Sequence, residues 1–423
     1  MKSPTGLDKV TRRRFLARAA GGAAATSVAG PALAQSTIEA IINSPRRGSW
    51  DDQFDAKSSR SVAKTATRHP ISSADTIGFV ERAVFDYQNI VARGGWPFVP
   101  PTKKLRMGAS EPEVRLLRQR LIVSGDLSAN TGLSNAFDSY VDGAVKKFQA
   151  RHGLPPDGVL GNYSYQALNV SADVRLGQLE TNLVRLRSMS GFLGDRYVMV
   201  NIPAAQIEAV EDGSVVLRHT AIVGKIDRQT PILNSKIHEI ILNPYWTSPR
   251  SIIEKDIVPL MRKDPTYLTR NSIRLFDGKG NEVPPETIDW HAEKAPDLMF
   301  RQDPGKGNAM ASTKINFHNP HAVYMHDTPQ QGVFNKLMRF ESSGCVRVQN
   351  VRDLNTWLLR DTPGWNRQAI EATIASGQNT EIPLSEPVPV YFTYFTAWAS
   401  EDGVVQFRDD VYQRDGVDEL ALR

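Results

Sequence analysis

The sequence predicts an α+β protein of several domains, in which a small helical unit precedes a mainly β domain that carries a long insertion. The chain has 423 residues, which is more than one ordinary compact domain holds. Apolar residues recur at helical spacing over residues 105–168, whereas the period changes to two from Tyr197 onwards. Because the two periods belong to different secondary structures, we expect a helical unit followed by a sheet.

The first 34 residues have the pattern of an export signal. Residues 11–16 read TRRRFL, an Ala-rich apolar stretch follows over residues 19–34, and Ala-Leu-Ala at 32–34 offers a small-x-small cleavage site. An amphipathic helix or a membrane anchor is the alternative, but the stretch is short for a span of about 20 residues. We therefore expect export to the periplasm by the twin-arginine route, with no membrane span in the mature chain.

The formal net charge of +5 is concentrated in this leader. Six basic residues and one acidic residue give residues 1–34 a charge of 6 − 1 = +5, which leaves 5 − 5 = 0 for the remainder. The basic patch expected of a nucleic-acid-binding protein is therefore not evident, and no nucleic-acid partner is expected.

Residues 35–100 are predicted to be a loosely defined N-terminal segment with one helix, over residues 76–92, which a Gly-Gly-Trp-Pro sequence ends. Residues 101–172 are predicted to be a compact three-helix unit, in which Asp142 is the expected N-cap of the middle helix and Gly153 ends it. A linker helix is expected within residues 173–195.

The β domain is predicted over residues 196–375, and a C-terminal strand segment over residues 376–423. Prolines interrupt the β domain repeatedly at about residues 246–310, where residues 251–261 form one predicted helix. Segments this long inside a β domain tend to be lids or binding loops. We expect a cap over the active site; a structural subdomain with no role in access is the alternative.

The single cysteine, Cys345, stands out through its neighbours. It follows Ser343 and Gly344 and lies 345 − 326 = 19 residues after His326. A lone cysteine in an exported protein is either buried and inert or a free thiol. A free thiol has a pKa of about 8.5, and a neighbouring histidine can take its proton to give a thiolate–imidazolium pair. Gly344 would let the chain turn tightly and a substrate approach closely.

The thiol chemistry also needs donors for an oxyanion and a group that orients the histidine ring. The backbone N–H groups around Gly344 and Cys345 are candidates for an oxyanion hole. Asp327, or a backbone carbonyl nearby, is the candidate that fixes the tautomer of the His326 ring. Although His318 and His321 are close in sequence, there is no convincing set of metal ligands, and neither a metal nor another cofactor is expected.

His326 and the sequence Ser-Ser-Gly-Cys-Val-Arg at residues 342–347 resemble the signature of the L,D-transpeptidase (YkuD-type) family. Residues 243–249, 301–309 and 326–329 further resemble the larger subgroup that combines a peptidoglycan-binding domain, a catalytic domain and a capping insertion. Residues 105–168 resemble the small peptidoglycan-binding domain itself, and an unrelated three-helix unit is the alternative.

The resemblance implies that Cys345 attacks the amide between meso-diaminopimelate and D-Ala in a tetrapeptide stem and releases D-Ala. A second stem then accepts the acyl group in a 3→3 cross-link, with His326 moving the protons. Arg347 would position the loop or a substrate carboxylate. Ser343 stands where many smaller members have a histidine, which leaves His326 as the sole local base. A carbapenem, which mimics the acyl donor, is expected to add to Cys345.

Five further residues are candidates for the substrate groove, namely Tyr245, Trp246, Arg301, Asn308 and Tyr324. Core packing is the alternative for Tyr245 and Trp246, and loop hydrogen bonding is the alternative for Asn308. Two other functions remain open: an L,D-carboxypeptidase or endopeptidase with the same thiol chemistry, and a non-catalytic wall-binding protein. Donor and acceptor peptide stems are the expected partners of a protein expected to be a monomer.

Overall fold

The structure is a computed structural model, and it describes residues 68–189, 191, 193–417 and 420. The predicted export signal and residues 35–67 lie outside the described residues. Among the described residues, no helix has the length and apolar character needed to cross a membrane.

The helices, in chain order, are α1 (Ala74–Ala92), α2 (Pro112–Val123), α3 (Ser139–Arg151), α4 (Asn162–Asn169), α5 (Ala172–Ser188), α6 (Arg250–Ile252), α7 (Val258–Lys263), α8 (Tyr267–Arg270), α9 (Val351–Leu358) and α10 (Arg367–Ser376). The strands are β1 (Arg196–Asn201), β2 (Gln206–Glu211), β3 (Ser214–Gly224), β4 (Leu233–Leu242), β5 (Trp246–Thr247), β6 (Ile273–Phe276), β7 (Glu282–Val283), β8 (Met299–Gln302), β9 (Thr313–Phe317), β10 (Met325–His326), β11 (Phe340–Ser342), β12 (Val346–Val348), β13 (Thr380–Thr393), β14 (Ala397–Ala399) and β15 (Val405–Phe407).

Helices α2, α3 and α4 enclose one apolar core, which includes Leu117, Val145 and Leu168. The N-cap of α3 is Asp138, whose carboxylate accepts hydrogen bonds from two backbone N–H groups of the first turn. The prediction that Asp142 caps this helix is therefore wrong: α3 begins one turn earlier, and Asp142 lies inside its first turn.

Two buried arginines of this helical unit have full sets of partners. Arg118 donates to three backbone carbonyls and forms an ion pair with Asp138. Arg151 binds Asp126 through two hydrogen bonds, Nε to Oδ1 at 2.7 Å and Nη2 to Oδ2 at 2.6 Å. A bidentate pair of this kind is what makes a buried guanidinium tolerable in a small core.

The main sheet closes on itself. Its strand order is β11-β3-β12-β10-β9-β4-β13-β1-β2, and β2 also pairs with β3. Strand β13 lies in this sheet between β4 and β1, within the C-terminal strand segment predicted over residues 376–423. The sheet tolerates the prolines of this strand because the register shifts between Pro383 and Val388.

Helix α5 was predicted to be a linker, and the structure shows that it also packs against α1 and β14. The Asn182 side chain of α5 hydrogen-bonds Thr396 twice, at 2.7 and 2.9 Å. Arg185 forms an ion pair with Asp415 at 2.5 Å. These contacts fasten the C-terminal part of the chain to α5.

The proline-rich insertion folds around a second sheet with the order β5-β8-β6-β7. Its own apolar core includes Ile257, Leu275 and Phe300. The helix predicted at residues 251–261 is present in three parts, because a π-helical turn at Ile253–Ile257 separates α6 from α7. Pro259 accounts for the interruption, since proline has no N–H for the carbonyl four residues earlier.

Candidate active site

The register of two neighbouring strands brings His326 and Arg347 to one face of the sheet. Strands β10 and β12 are parallel, with Met325 opposite Val346 and His326 opposite Arg347. Met325 and Val346 are fully buried in the core, so His326 and Arg347 point to the other, outer face. Cys345 lies immediately before β12 and next to Tyr324, and the Tyr324 ring centroid is 5.6 Å from that of His326.

His326 is held in one orientation by its own strand end. Its Nδ1 lies 2.5 Å from the backbone carbonyl oxygen of Asp327. A carbonyl only accepts, so Nδ1 carries the proton and Nε2 keeps a free lone pair. Of the two predicted orienting groups, the structure has the backbone carbonyl in contact with the ring. The Asp327 carboxylate instead accepts hydrogen bonds from Ser312 Oγ at 2.5 Å and Thr328 N at 2.8 Å.

Burial and the positive charge of Arg347 lower the pKa of His326 to about 3, although its hydrogen bond to Asp327 acts in the opposite direction. The imidazole is therefore neutral at neutral pH and can accept a proton.

Burial raises the pKa of the Cys345 thiol, while a backbone and a hydroxyl hydrogen bond from Tyr324 and the charges of Lys314 and Arg347 oppose that rise. At rest the thiol is thus protonated and the imidazole neutral, and the thiolate–imidazolium pair stays a prediction. As a residue, Cys345 is nevertheless partly exposed.

Tyr324 contributes more to this face than groove lining. Its hydroxyl is within hydrogen-bonding reach of the Cys345 sulfur and of the Trp246 indole from the insertion. Burial raises the pKa of Tyr324 well above its usual range, so the hydroxyl stays protonated and can donate to a thiolate. Trp246 therefore connects the insertion to the sulfur through one side chain.

Lys314 completes the cluster and was not predicted from the sequence. It lies directly opposite His326 on β9, and its Nζ is 4.6 Å from the centroid of the Tyr324 ring. Burial lowers the pKa of Lys314, and the charge of Cys345 raises it. The signal available in the sequence was the alternation Lys-Ile-Asn-Phe at 314–317, but only the register tells which strand it faces.

The loop before Cys345 is tied down by hydrogen bonds. Gly344 has a φ of 117°, a backbone conformation that favours glycine. Its N–H donates to Ser342 Oγ at 3.1 Å, and its carbonyl accepts from Thr230 Oγ1 at 2.8 Å. Because the Gly344 N–H is already engaged, the predicted oxyanion hole would have to rely on other donors, such as the Cys345 N–H.

Ser343 is exposed and connects this loop to the insertion. Its Oγ accepts a hydrogen bond from Arg228 Nη1 at 2.9 Å. The same guanidinium forms an ion pair with Asp256, in the π-helical turn, at 2.7 Å. Arg228 was not predicted from the sequence, because nothing near it resembles a motif.

The remaining groove candidates lie on the insertion. The Arg301 guanidinium carbon is 4.9 Å from the centroid of the Tyr245 ring, and Arg301 Nε is buried without a hydrogen-bond partner. Asn308 is 1% exposed, and its amide braces the loop through the carbonyls of Pro244 and Asp303, both at 3.0 Å. The structure thus places Trp246 next to Tyr324, which contacts the thiol, and it places Arg301 next to Tyr245. Asn308 is buried inside a loop, where it holds the backbone.

Two stretches of the chain match known families. Residues 195–366 match the YkuD family, described as "L,D-transpeptidase catalytic domain", and residues 110–168 match the family described as "Putative peptidoglycan binding domain".

Over 246 residues the chain is 35% identical to a "Putative L,D-transpeptidase" of Haemophilus influenzae; the match covers 58% of this chain and 49% of that protein. The chain thus spans about half the length of the curated relative it matches. Among solved structures, an L,D-transpeptidase from Stackebrandtia nassauensis has 13% identity and a TM-score of 0.26, covering 70% of this chain and 97% of that one. An L,D-transpeptidase from Xylanimonas cellulosilytica has 16% identity and a TM-score of 0.23, and the match covers 70% of this chain and 99% of that one. Residues 195–366 are thus similar to the YkuD-type L,D-transpeptidase catalytic domain, and residues 110–168 are similar to a peptidoglycan-binding domain.

Proposed function

We propose that this protein is an L,D-transpeptidase that forms 3→3 cross-links in peptidoglycan through an acyl-enzyme on Cys345. The observation that carries the proposal is the surroundings of Tyr324, which contacts the partly exposed Cys345 and whose ring lies 5.6 Å, centroid to centroid, from the His326 ring with its free Nε2. This is the arrangement that thiol-based acyl transfer requires.

In the acylation step, the Cys345 sulfur attacks the carbonyl carbon of the amide between meso-diaminopimelate and D-Ala. The thiol proton moves to His326 Nε2, and the imidazolium then gives it to the departing nitrogen of D-Ala. A C–S bond forms and a C–N bond breaks. The Cys345 N–H is the backbone donor that we assign to the developing oxyanion, because the Gly344 N–H is engaged by Ser342.

In the deacylation step, the side-chain amine of a second stem attacks the thioester. His326 takes a proton from this amine and returns it to the sulfur, so that the thiol is restored and a new amide joins the two stems. Water in place of the amine would give carboxypeptidase activity instead.

The cationic surroundings support this course of reaction. At rest the raised pKa of Cys345 keeps the thiol protonated. As the sulfur gives up its proton, the charges of Lys314 and Arg347 and the Tyr324 hydroxyl stabilise the thiolate. They act on the state that reacts rather than on the resting state, which is where stabilisation accelerates a reaction.

Domain organisation and location follow from the same proposal. We assign residues 101–172 to wall binding, residues 196–375 to catalysis and about 246–310 to a cap over the groove. The substrate lies outside the cytoplasm, which agrees with the twin-arginine pattern in the first 34 residues.

The test is intact-protein mass spectrometry with a tetrapeptide donor and then a second stem. Wild type should gain the mass of the donor less D-Ala, whereas Cys345→Ser should not form the thioester and His326→Gln should form it about 10³-fold more slowly. A carbapenem should add to wild type at Cys345. Unmodified protein after long exposure to donor and carbapenem would sink the proposal, and shortened monomers without dimers would favour the carboxypeptidase.

A further inference from the structure

A second site lies apart from the thiol. A cavity of about 630 Å³ opens between the helical unit and the closed sheet, and Cys345, His326 and Tyr324 are not among its lining residues. Its walls come from the end of α3 and the following turn, from β2 and β3, from residues 334–339, and from the hairpin β14–β15. Its volume is in the range of small-molecule and peptide pockets.

Two arginines in this cavity have no carboxylate partner within the described part of the chain. Arg339 donates through its two terminal nitrogens to backbone carbonyls, including that of Ala204 at 3.1 Å, while its buried Nε has no hydrogen-bond partner. Arg408 donates to the carbonyls of Arg151 at 3.1 Å and Phe407 at 2.6 Å. Backbone carbonyls satisfy hydrogen bonds but do not neutralise a charge.

The pKa values of both guanidinium groups are lowered to about 10. Burial is the cause for Arg339, and for Arg408 burial is the larger cause and the nearby charge of Arg339 the smaller one. Asp409 offsets Arg408 only in part, because burial raises the pKa of this carboxyl to about 7. Two like charges that share a desolvated wall are costly unless an anion joins them.

The other charges of the wall are already engaged. Ion pairs occupy Arg151, Arg218, Lys146 and Lys336, with Asp126, Glu208, Asp142 and Glu341 respectively. The carboxylate of Asp402 accepts hydrogen bonds from Ser400 Oγ and Val404 N. Among the described residues that line the cavity, the charges without an ion pair are therefore those of the cations Arg339 and Arg408, with the exposed Lys147 at the rim, and that of the Asp402 carboxylate.

The cavity also offers apolar surface beside these charges. The Arg408 guanidinium carbon is 4.8 Å from the centroid of the Trp398 ring, and Leu154 and Pro155 line the facing wall. A site that combines a guanidinium pair with aromatic and aliphatic surface suits a short peptide that carries carboxylates and methyl groups.

We propose that this cavity binds a carboxylate-bearing stem peptide of peptidoglycan, as a docking point separate from the thiol. The identity of the peptide rests on the proposed function, whereas the anion site rests on Arg339 and Arg408. Arg339 precedes Cys345 by 345 − 339 = 6 residues, so the two α-carbons are at most about 20 Å apart. A wall strand held here therefore presents its neighbouring stem within reach of the nucleophile.

The test uses the full chain with Cys345 alkylated by iodoacetamide, so that acyl transfer is blocked, and calorimetric titration with the free tetrapeptide. We expect binding that weakens with added NaCl and is lost when the carboxylates of the peptide are amidated. Arg339→Gln should lower the affinity at least about 10-fold, and the charge-conserving Arg339→Lys less than about 3-fold. Lys236→Gln, an exposed change outside the cavity, is the matched control and should leave the affinity unchanged.

Equal affinity of Arg339→Gln and wild type, or equal affinity for the acidic and amidated peptides, would overturn the site. Lys147→Gln at the exposed rim should weaken binding about 2- to 3-fold, and it serves as the readout if Arg339→Gln does not fold; an unchanged affinity there would also count against the site. The experiments distinguish failure of the cavity proposal from failure of the proposed transpeptidase function. An unacylated wild type that still binds the tetrapeptide contradicts the transpeptidase, and normal acylation without binding to the blocked protein contradicts the cavity.

Discussion

Two buried arginines of the helical unit, Arg118 and Arg151, differ in their partners from the buried cations around Cys345. In the helical unit, Arg151 is 5% exposed and has a bidentate carboxylate partner. Around the thiol, Arg347 has a buried Nε without a partner, and Lys314 forms no ion pair within the described residues. The first arrangement stabilises a fold, whereas the second leaves charge available for a reacting sulfur and for substrate.

The difference shows how to tell a structural charge from a functional one in this molecule. Removing one partner of a satisfied pair leaves an uncompensated charge in the core, so the cost falls on stability. Removing an unpaired charge relieves an unfavourable burial, so the cost falls on chemistry. The predictions below test this contrast in order of decreasing effect.

The largest effect is expected from Asp126→Ala. The change leaves the Arg151 guanidinium buried without a carboxylate, and we expect the free energy of unfolding to fall by about 3–5 kcal/mol. Urea denaturation followed by circular dichroism measures it. A loss below about 1 kcal/mol would show that this pair is no more structural than a surface one.

Arg347→Met should have the opposite profile. The free energy of unfolding should be unchanged or slightly higher, because an unsatisfied guanidinium has been removed, while cross-linking should fall about 10²-fold. Arg347 lowers the pKa of His326 and of Cys345, so both pKa values should rise in the variant. Thiol alkylation as a function of pH reports the second shift; a destabilised variant with normal alkylation would reverse the assignment of Arg347.

A smaller effect is expected from Tyr324→Phe. This variant loses the hydroxyl hydrogen bond that lowers the pKa of Cys345, and one hydrogen bond is worth about 1 kcal/mol. Since the thiolate is the form present above the pKa, alkylation at pH 7 should slow about 5-fold and recover at alkaline pH. A rate that stays low at alkaline pH would mean that the change blocks access instead.

The smallest effect is expected from Glu254→Ala, which breaks the ion pair with Arg250 at 2.7 Å on the insertion. Both side chains are about half exposed, at 49% and 46%, so water and salt screen the pair. We expect the free energy of unfolding, measured by urea denaturation, to fall by less than about 0.5 kcal/mol. A loss of unfolding free energy as large as that of Asp126→Ala would show that burial does not explain the contrast between structural and functional charges.

The sequence was most informative where chemistry is local. Cys345, Gly344 and His326 were selected from their neighbours, and the register of β10 and β12 explains why His326 and Arg347 share a face. Lys314 was not predicted, because its importance depends on which strand pairs with β10, and strand pairing is a long-range property.

Other differences also have physical reasons. Asp138, which caps α3, and Asp142, which was predicted to cap it, are both acidic and four residues apart, so composition could not choose between them. Arg339 and Arg408 are 69 positions apart (408 − 339), and nothing in either local sequence shows that they share a cavity. The sequence thus selected His326 and Cys345, whose catalytic roles stay a prediction. It missed Lys314, which lies opposite His326, and Arg228, which hydrogen-bonds Ser343.

Arg228 has a mechanical consequence, because one guanidinium holds Asp256 of the insertion and Ser343 of the nucleophile loop at the same time. A displacement of the insertion that carries Asp256 along pulls on the guanidinium that also binds Ser343, two residues before the sulfur. The position of the insertion and the conformation of the nucleophile loop are therefore coupled through Arg228.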